Sequence, residues 1–137
     1  MTPDLTQLLA RYPGAVTYRF GDNAALSARL VALVRAGRKR ATCISDAEID
    51  AGETPPSIGR CDIVLDFDDV PQLVTRTEEL RPVRYCDMTE EMALLEGEND
   101  DLAGWQADHE SYYRRLGIFR PDMNLIWERF DVVEDLS

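Results

Sequence analysis

Three cysteines and a single histidine are the residue types in this chain that most often carry chemistry. Cys43, Cys61 and Cys86 are widely spaced and odd in number, which argues against a disulfide framework. A structural zinc site is also disfavoured, because it takes about four cysteine or histidine ligands at short spacings. Cys43 could be a thiol nucleophile with His109 as its base, although such a cysteine more often packs as a small hydrophobic residue. We therefore expect neither a metal nor a cofactor.

Basic residues are dense at one place only, where Arg35 is followed by Arg38, Lys39 and Arg40. One interpretation of this patch is a solvated helix end whose charges interact with the helix macrodipole. The other is functional, because neighbouring cations can lower the pKa of a lysine toward neutrality and allow it to act as a base.

The overall charge is strongly acidic, with 15 Lys+Arg against 26 Asp+Glu and a formal net charge of −11. A protein that binds a long nucleic-acid backbone needs a basic track. We therefore expect no extended duplex as a partner, and instead a small nucleoside-like ligand or short single-stranded RNA. No stretch approaches the ~20 apolar residues that span a bilayer, and the N-terminal residues lack the order of a signal peptide. These features predict a cytoplasmic protein with no membrane contact.

Apolar spacing and turn residues predict the element order helix, helix, strands, helices, strand. A length of 137 residues with 45% apolar content fits one domain with one core. Residues 46–60 contain Pro55-Pro56 and Gly52 and are predicted to form a loop. The predicted helices are about 2–11, one capped by Asp22 or Asn23 and ended by Gly37, one capped by Thr89, and 102–116 with Leu102, Trp105, Tyr112 and Leu116 on its apolar side. The predicted strands are 41–44, 63–67, a strand or strand pair over 72–85, and 125–133. Strands distributed among helices fit a small mixed barrel or an α+β sheet, and the lack of a glycine-rich strand–helix turn argues against a Rossmann fold.

Trp105 and His109 are four residues apart on a predicted helix and therefore share one of its faces. One interpretation is a core tryptophan with a hydrogen-bonded histidine. The alternative places His109, with Tyr112 or Tyr113, on the wall of a base-binding pocket, where aromatic stacking contributes ~1–3 kcal/mol per base. Tyr18 could line the same pocket or pack in the core.

Several short motifs follow one another along nearly the whole chain. In order they are Phe20-Gly21-Asp22 before an apolar helix, Gly37-Arg38-Lys39-Arg40-Ala41-Thr42 after it, Glu96-Gly97-Glu98, Trp105 with His109, and Asp122-Met123-Asn124-Leu125 running into Glu128-Arg129-Phe130. Together these motifs resemble the bacterial ASCH-domain family. The resemblance implies an α+β fold with a PUA-like small mixed β-barrel flanked by helices. Residues 1–137 would form a single ASCH domain, with the helix at about 2–11 as an appendage, and its ligands would be related to RNA or nucleosides.

One branch of that family hydrolyses the amide of N4-acetylcytidine, using a lysine, a threonine three residues later and a glutamate further on. Carried over by motif, these roles fall on Lys39, Thr42 and Glu96, the expected catalytic residues. Lys39 would activate the Thr42 hydroxyl, which is a poor nucleophile until its proton is removed. Glu96 would hold the lysine or protonate the leaving amine. The expected ligand-binding residues are Arg38, Arg40, Tyr18, Trp105 and His109.

The chain departs from the family pattern at two places. Ile44 stands where an arginine is expected, which removes a bidentate clamp for an anion or carbonyl. Gly59-Arg60 stands where many members have Gly-Asp. Residues three apart on a regular strand point to opposite faces. Lys39 and Thr42 can therefore converge only if the chain bends between them, with Lys39 in the connection and Thr42 on the strand.

Two further functions stay open from the sequence. The first is a non-catalytic PUA-like module that binds RNA through the basic patch at Arg35–Arg40. The second is a ribonuclease, because some ASCH proteins have that activity. It is the less favoured of the two, because this chain lacks the usual pair of histidines for RNA cleavage.

Overall fold

The computed structural model describes residues 4–136. Its helices are α1 (Leu5–Arg11), α2 (Ala24–Arg35), α3 (Asp46–Asp50), α4 (Glu90–Leu95) and α5 (Leu102–Arg115). Its strands are β1 (Thr17–Tyr18), β2 (Ala41–Ser45), β3 (Cys61–Leu65), β4 (Pro71–Arg84) and β5 (Asn124–Asp135). A single 3-10 turn, Tyr85–Asp87, connects β4 to the segment before α4. No helix among these residues is long and apolar enough to cross a membrane.

The strands form one five-stranded sheet in the order β1-β3-β4-β5-β2. β1 runs parallel to β3, and the other neighbouring strands are antiparallel. The long strands β4 and β5 form its centre, with register shifts at Val74/Thr75 and Thr77/Glu79. Such bulges increase the local twist of a sheet. The predicted α+β fold is confirmed, but within residues 4–136 the edge strands β1 and β2 do not pair, so the sheet is not a closed barrel.

Helices pack on this sheet through three groups of buried apolar side chains. α2 contributes Leu30, Val31 and Val34 to a group with Val64, Leu73 and Phe130. α4 and α5 contribute Met92, Ala93, Trp105 and Tyr113 to a group with Trp127. Leu8 of α1 packs with Ile63, Leu65 and Val74. Each large apolar side chain fully buried in this way contributes about 1.5–3 kcal/mol to folding.

Most predicted boundaries are close to the observed ones, because they rest on caps that the sequence shows. The side chains of Asn23 and Thr89 accept hydrogen bonds from Leu26 N and Met92 N, as N-cap residues do. α1 begins after the Asp4 cap, and the predicted residues Thr2 and Pro3 lie outside the described part of the chain.

Two sequence-based expectations were wrong in detail. Residues 46–50 form α3 rather than loop, because Ser45 and Glu48 form a capping box. Leu116, expected on the apolar side of α5, is 41% exposed, while Tyr113 is buried. Of the two alternatives predicted for residues 72–85, the single long strand is confirmed, as β4.

Gly97 allows the turn after α4 to approach the segment that precedes β2. Its φ is +77°, and a Cβ atom there would be 2.4 Å from the carbonyl oxygen of Arg38. Arg40 N donates to Leu95 O at 2.7 Å across the same contact. This close approach brings Glu96 and Glu98 against Lys39.

Replacing Gly97 by alanine should therefore destabilise the protein by about 2–3 kcal/mol, because it adds a backbone clash to an unfavourable φ. Gly59 is a matched control, since its φ is +84° but nothing lies within 4 Å of the added Cβ. Gly59→Ala should cost only about 1 kcal/mol. Urea denaturation of both variants measures the difference, and equal losses would show that the close approach at Gly97 contributes nothing.

Candidate functional site

A cavity of about 1020 Å³ lies between the two edges of the sheet, α2 and α5. Its lining comes from β1, β2, β3, β5, α2, α3 and α5, together with the turn after α4 and the segment around residues 52–56. Small-molecule sites in proteins usually have volumes of ~300–1,000 Å³. The cavity is therefore large enough for a nucleoside.

The predicted site residues separate into two groups around this cavity. Lys39, Thr42 and Glu96 line it, and so do Tyr18 and His109. Two segments that are distant in sequence, residues 39–42 and the turn at Glu96, thus contribute the expected catalytic residues to one cavity.

The other three predicted ligand-binding residues lie outside the cavity. Trp105 is fully buried in the core, with an exposed fraction of 0%. Arg38 and Arg40 are exposed, and Arg40 Nε donates to Gly37 O at 3.0 Å. Trp105 contacts two residues of the cavity lining, Glu96 and His109. The two arginines lie on the exposed surface instead.

Lys39 is a buried cation whose donors are all engaged. Only 1% of its side chain is exposed. Its Nζ donates to Ala41 O at 2.8 Å, to Glu96 O at 3.3 Å and to Glu98 Oε2 at 3.0 Å. The ring of Phe20 lies 5.6 Å from Nζ and adds a cation–π contact. An ammonium group has three N–H donors and no acceptor, so Lys39 presents positive charge but no lone pair in this arrangement.

Glu96 is the buried anion that connects this cation to α5. Its Oε2 accepts from Trp105 Nε1 at 2.9 Å and from Cys43 Sγ at 3.2 Å. Its Oε1 lies 3.5 Å from His109 Nε2 and 3.9 Å from Lys39 Nζ. Burial raises the pKa of Glu96, but the charges of His109 and Lys39 and the hydrogen bonds from His109 and Cys43 outweigh it, so the pKa is lowered. The carboxylate is therefore ionised at neutral pH.

His109 is held in one orientation by Trp105. The two rings stack with centroids 4.1 Å apart and an interplanar angle of 18°. Since a carbonyl oxygen can only accept, His109 Nδ1 donates to Trp105 O at 2.9 Å, which leaves Nε2 facing Glu96. Burial lowers the pKa of His109, but the charge of Glu96 and the hydrogen bond to it outweigh burial and raise the pKa.

Cys43 is not poised as a nucleophile. Burial, followed by the charge of Glu96, raises the pKa of its thiol well above the ordinary value. The thiol donates to Glu96 rather than to His109. Because the thiolate is the reactive form of cysteine, the geometry favours a structural role for Cys43.

Thr42 lies on β2, whereas Lys39 precedes that strand. Lys39 N still donates to Leu33 O at the end of α2, and Gly37, with φ of +77°, turns the chain between helix and strand. Lys39 therefore lies in the connection and Thr42 on the strand, as the sequence predicted. The Thr42 hydroxyl makes no hydrogen bond to any described residue, so it is available to a ligand.

A second set of polar groups, most of them half-buried, lines the cavity on the side of β3 and β5. Glu128 Oε2 accepts from Thr77 Oγ1 at 2.6 Å. Arg60 forms two hydrogen bonds with the carboxylate of Asp62, at 2.8 and 3.0 Å. Tyr18 lies nearby, and its hydroxyl is 2.7 Å from Thr75 Oγ1.

Sequence reasoning assigned no role to Glu98 or Glu128. Both stand in the motifs that carry the family resemblance, and that was the available signal. Their contacts with Lys39 and Thr77 join strands and turns that are distant in sequence, so no local pattern shows them.

Acidic residues exceed basic ones in the cavity lining. The acidic residues are Glu48, Glu53, Asp62, Glu96, Glu98, Asp108 and Glu128, and the basic ones are Arg19, Arg29, Lys39, Arg60 and Arg115. Lys39 and Arg60 are already paired with carboxylates. The lining therefore suits an uncharged ligand better than a phosphate.

Comparison with known proteins identifies the class to which this fold and cavity belong. The sequence profile of the ASCH domain matches residues 16–134, so the chain belongs to the ASCH-domain family, a PUA-like family related to RNA. The match begins after α1. No curated protein matches the chain significantly.

Solved structures agree with this assignment. An ASCH domain from Lactobacillus crispatus JV V101 is 29% identical, with a TM-score of 0.78, over 93% of this chain and 84% of that one. The protein EF3133 from Enterococcus faecalis V583 is 30% identical, with a TM-score of 0.81, over 96% of this chain and 86% of that one. The hypothetical protein PH0355 shares the fold alone, at 11% identity and a TM-score of 0.55, over 87% of this chain and 97% of that one.

The Glu96–His109 contact predicts a titration that can be observed directly, because His109 is the only histidine in the chain. NMR should give a pKa above the ordinary 6.5. In Glu96→Gln the pKa of His109 should fall, because burial still lowers it while the Glu96 charge that opposed burial most is gone. Glu110→Gln is the control, since Glu110 lies on the same helix but pairs with Arg114.

The same contact fixes a pH window for stability. The raised pKa of His109 adds stability that is complete below 6.5 and lost as pH rises through the folded-state value. The lowered pKa of Glu96 adds stability that is complete above 4.5 and lost as pH falls through its folded-state value. The contact thus stabilises fully between pH 4.5 and 6.5. If Glu96→Gln leaves both the titration and the window unchanged, the assigned interaction is refuted.

Proposed function

We propose that this chain is an amidohydrolase that cleaves the acyl amide of an N4-acylated cytosine nucleoside. The observation that carries the proposal is the convergence of Lys39, Thr42 and Glu96 on one cavity of nucleoside size. The Lys39 cation and the Glu96 anion are buried there with fixed partners, while the Thr42 hydroxyl has none among residues 4–136. A free hydroxyl and a buried cation that line one cavity are groups that acyl transfer can use.

The lining supports a nucleoside rather than a longer nucleic acid. Phe20, Tyr112 and His109 offer ring faces or edges against which a base can stack. The acidic excess of the lining and the net charge of −11 oppose phosphate groups. Ile44 also lines the cavity and gives the acyl group an apolar neighbour.

The reaction has two steps, acylation of Thr42 and hydrolysis of the resulting ester. The Thr42 oxygen attacks the amide carbonyl carbon, and the carbon–nitrogen bond breaks as the amine leaves with the proton that Thr42 lost. Water then attacks the resulting ester, releases the carboxylic acid and restores the Thr42 hydroxyl. The Lys39 charge favours both loss of the Thr42 proton and the negative oxygen of the tetrahedral intermediates. Glu96, through its contact with Lys39, holds that charge in place.

Incubation with N4-acetylcytidine, followed by chromatography of released cytidine, tests the proposal. Thr42→Ala should reduce turnover by at least about 100-fold, because it removes the nucleophile. The variant should remain folded, since the hydroxyl makes no hydrogen bond within the described protein. Thr6→Ala, on the exposed side of α1, is the matched control and should be fully active.

Undiminished turnover by Thr42→Ala would rule out the mechanism. No turnover by the wild-type protein would reject the reaction itself. In that case, RNA binding that weakens with salt and disappears when Arg38 and Arg40 are neutralised would favour a binding module.

A further inference from the structure

Glu128 lies directly opposite Thr42 in the antiparallel pair formed by β2 and β5. Residues opposite each other in such a ladder project from the same face, with Cβ atoms about 4.5–5.5 Å apart. Both side chains line the cavity. The register therefore places a carboxylate beside the hydroxyl of Thr42, although the two are not hydrogen bonded without a ligand. Catalytic hydrogen bonds are often long in ligand-free enzymes and shorten when substrate binds.

One oxygen of Glu128 is anchored and the other is available. Oε2 accepts from Thr77 Oγ1 at 2.6 Å, and Thr77 is 1% exposed. Oε1 makes no hydrogen bond to the protein between residues 4 and 136. The Thr77 contact thus limits rotation of the carboxylate and leaves one oxygen to receive a proton.

The surroundings of Glu128 make it a stronger base than an exposed glutamate. Burial raises its pKa, and the charge of Asp62 raises it further. The hydrogen bond from Thr77 and the charges of Arg60 and Lys39 act in the opposite direction without cancelling the rise. A carboxylate whose pKa approaches the working pH removes protons more effectively.

Lys39 does not compete for this role in the observed arrangement. Its three donors are directed at Ala41 O, Glu96 O and Glu98 Oε2. It can accept a proton only after it gives one away. Its charge can still assist the reaction, because that requires no proton transfer.

We infer that Glu128 is a further catalytic residue, which takes the proton of the Thr42 hydroxyl and delivers it to the leaving nitrogen. The O–H bond of Thr42 breaks as the new carbon–oxygen bond forms, and the proton moves to Glu128 Oε1. When the carbon–nitrogen bond breaks, Glu128 returns that proton to the nitrogen. In the second step Glu128 takes a proton from the attacking water and returns it to the Thr42 oxygen. The identity of the substrate amide rests on the proposed function. The removal of the Thr42 proton by Glu128 does not.

Acetylation of the full chain by p-nitrophenyl acetate tests this inference separately from the natural substrate. Its leaving group departs without a proton, so the reaction reports only the activation of Thr42. Peptide mass spectrometry of acetyl-Thr42 over time gives the rate, and Thr42→Ala gives the background. Glu128→Gln should slow the reaction by about 100-fold or more. Glu78→Gln is the matched control, because Glu78 is on β4, pairs with Arg76 and lies outside the cavity lining.

The pH profile gives a readout that a purely structural role would not move. Acetylation by the wild-type protein should rise with pH and level off above the ordinary glutamate value of 4.5, as Glu128 ionises. In Glu128→Gln this rise should be absent. The other charged groups that face Glu128 are Asp62, Arg60 and Lys39, and they are unchanged in this variant.

The outcomes of this experiment distinguish failure of the inference about Glu128 from failure of the proposed function. Acetylation of Thr42 that depends on Glu128, without turnover of N4-acetylcytidine, would support the inference and reject the substrate. Absence of Thr42 acetylation in the wild type, or an equal rate in Glu128→Gln, would overturn the inference. If circular dichroism shows that Glu128→Gln is misfolded, Glu128→Asp decides: it keeps the carboxylate at a longer reach. It should retain a reduced rate with the same pH-dependent rise, and a rate no higher than background in that folded variant would equally overturn the inference.

Discussion

The burial of Lys39 is the constraint on which the site depends. Moving an ammonium group out of water costs several kcal/mol unless close anions and hydrogen bonds replace the lost hydration. Here Ala41 O of β2 supplies one partner, and the turn after α4 supplies the other two, the Glu96 carbonyl and the Glu98 carboxylate. That turn can approach only because Gly97 has no side chain. The fold therefore has to bring α4 to the start of β2 before the cation can be accommodated.

The neighbours of Lys39 form a chain of alternating charge. Lys39 faces Glu96, Glu96 faces His109, and the stacked Trp105 fixes the histidine ring. The neutral thiol of Cys43 supplies one more donor to Glu96. Because each charge has an opposite neighbour, the Lys39 ammonium can be buried in the interior of this domain. Buried pairs of this kind add little net stability and are better explained by the geometry that they enforce.

The sequence was informative where the determinants are local. The Asn23 and Thr89 caps, the turn at Gly37 and the shared face of Trp105 and His109 follow from spacing alone. Motif order indicated Lys39, Thr42 and Glu96, and the structure places them at one cavity, although their catalytic roles stay predictions.

What could not be read from the sequence depends on contacts between distant segments. The register of β2 on β5 decides which residue faces Thr42, and no local pattern encodes a register. The helical face shared by Trp105 and His109 left open whether Trp105 packs in the core or contacts a ligand, and the structure buries it in the core. The capping box at Ser45 and Glu48 was visible, but the prolines and glycine that follow obscured it.

Because the sheet is open, a ligand in the cavity can affect the stability of the fold. β1 and β2 are the two edges of the sheet, and both contribute to the lining of the same space. The cavity therefore lies against both edge strands of the sheet. A bound molecule would contact both edge strands at once. Binding would therefore stabilise the folded sheet against unfolding. At a concentration of 100 times Kd such a ligand adds about 2.7 kcal/mol of stability, and thermal stability could serve to screen candidate ligands before any reaction is known.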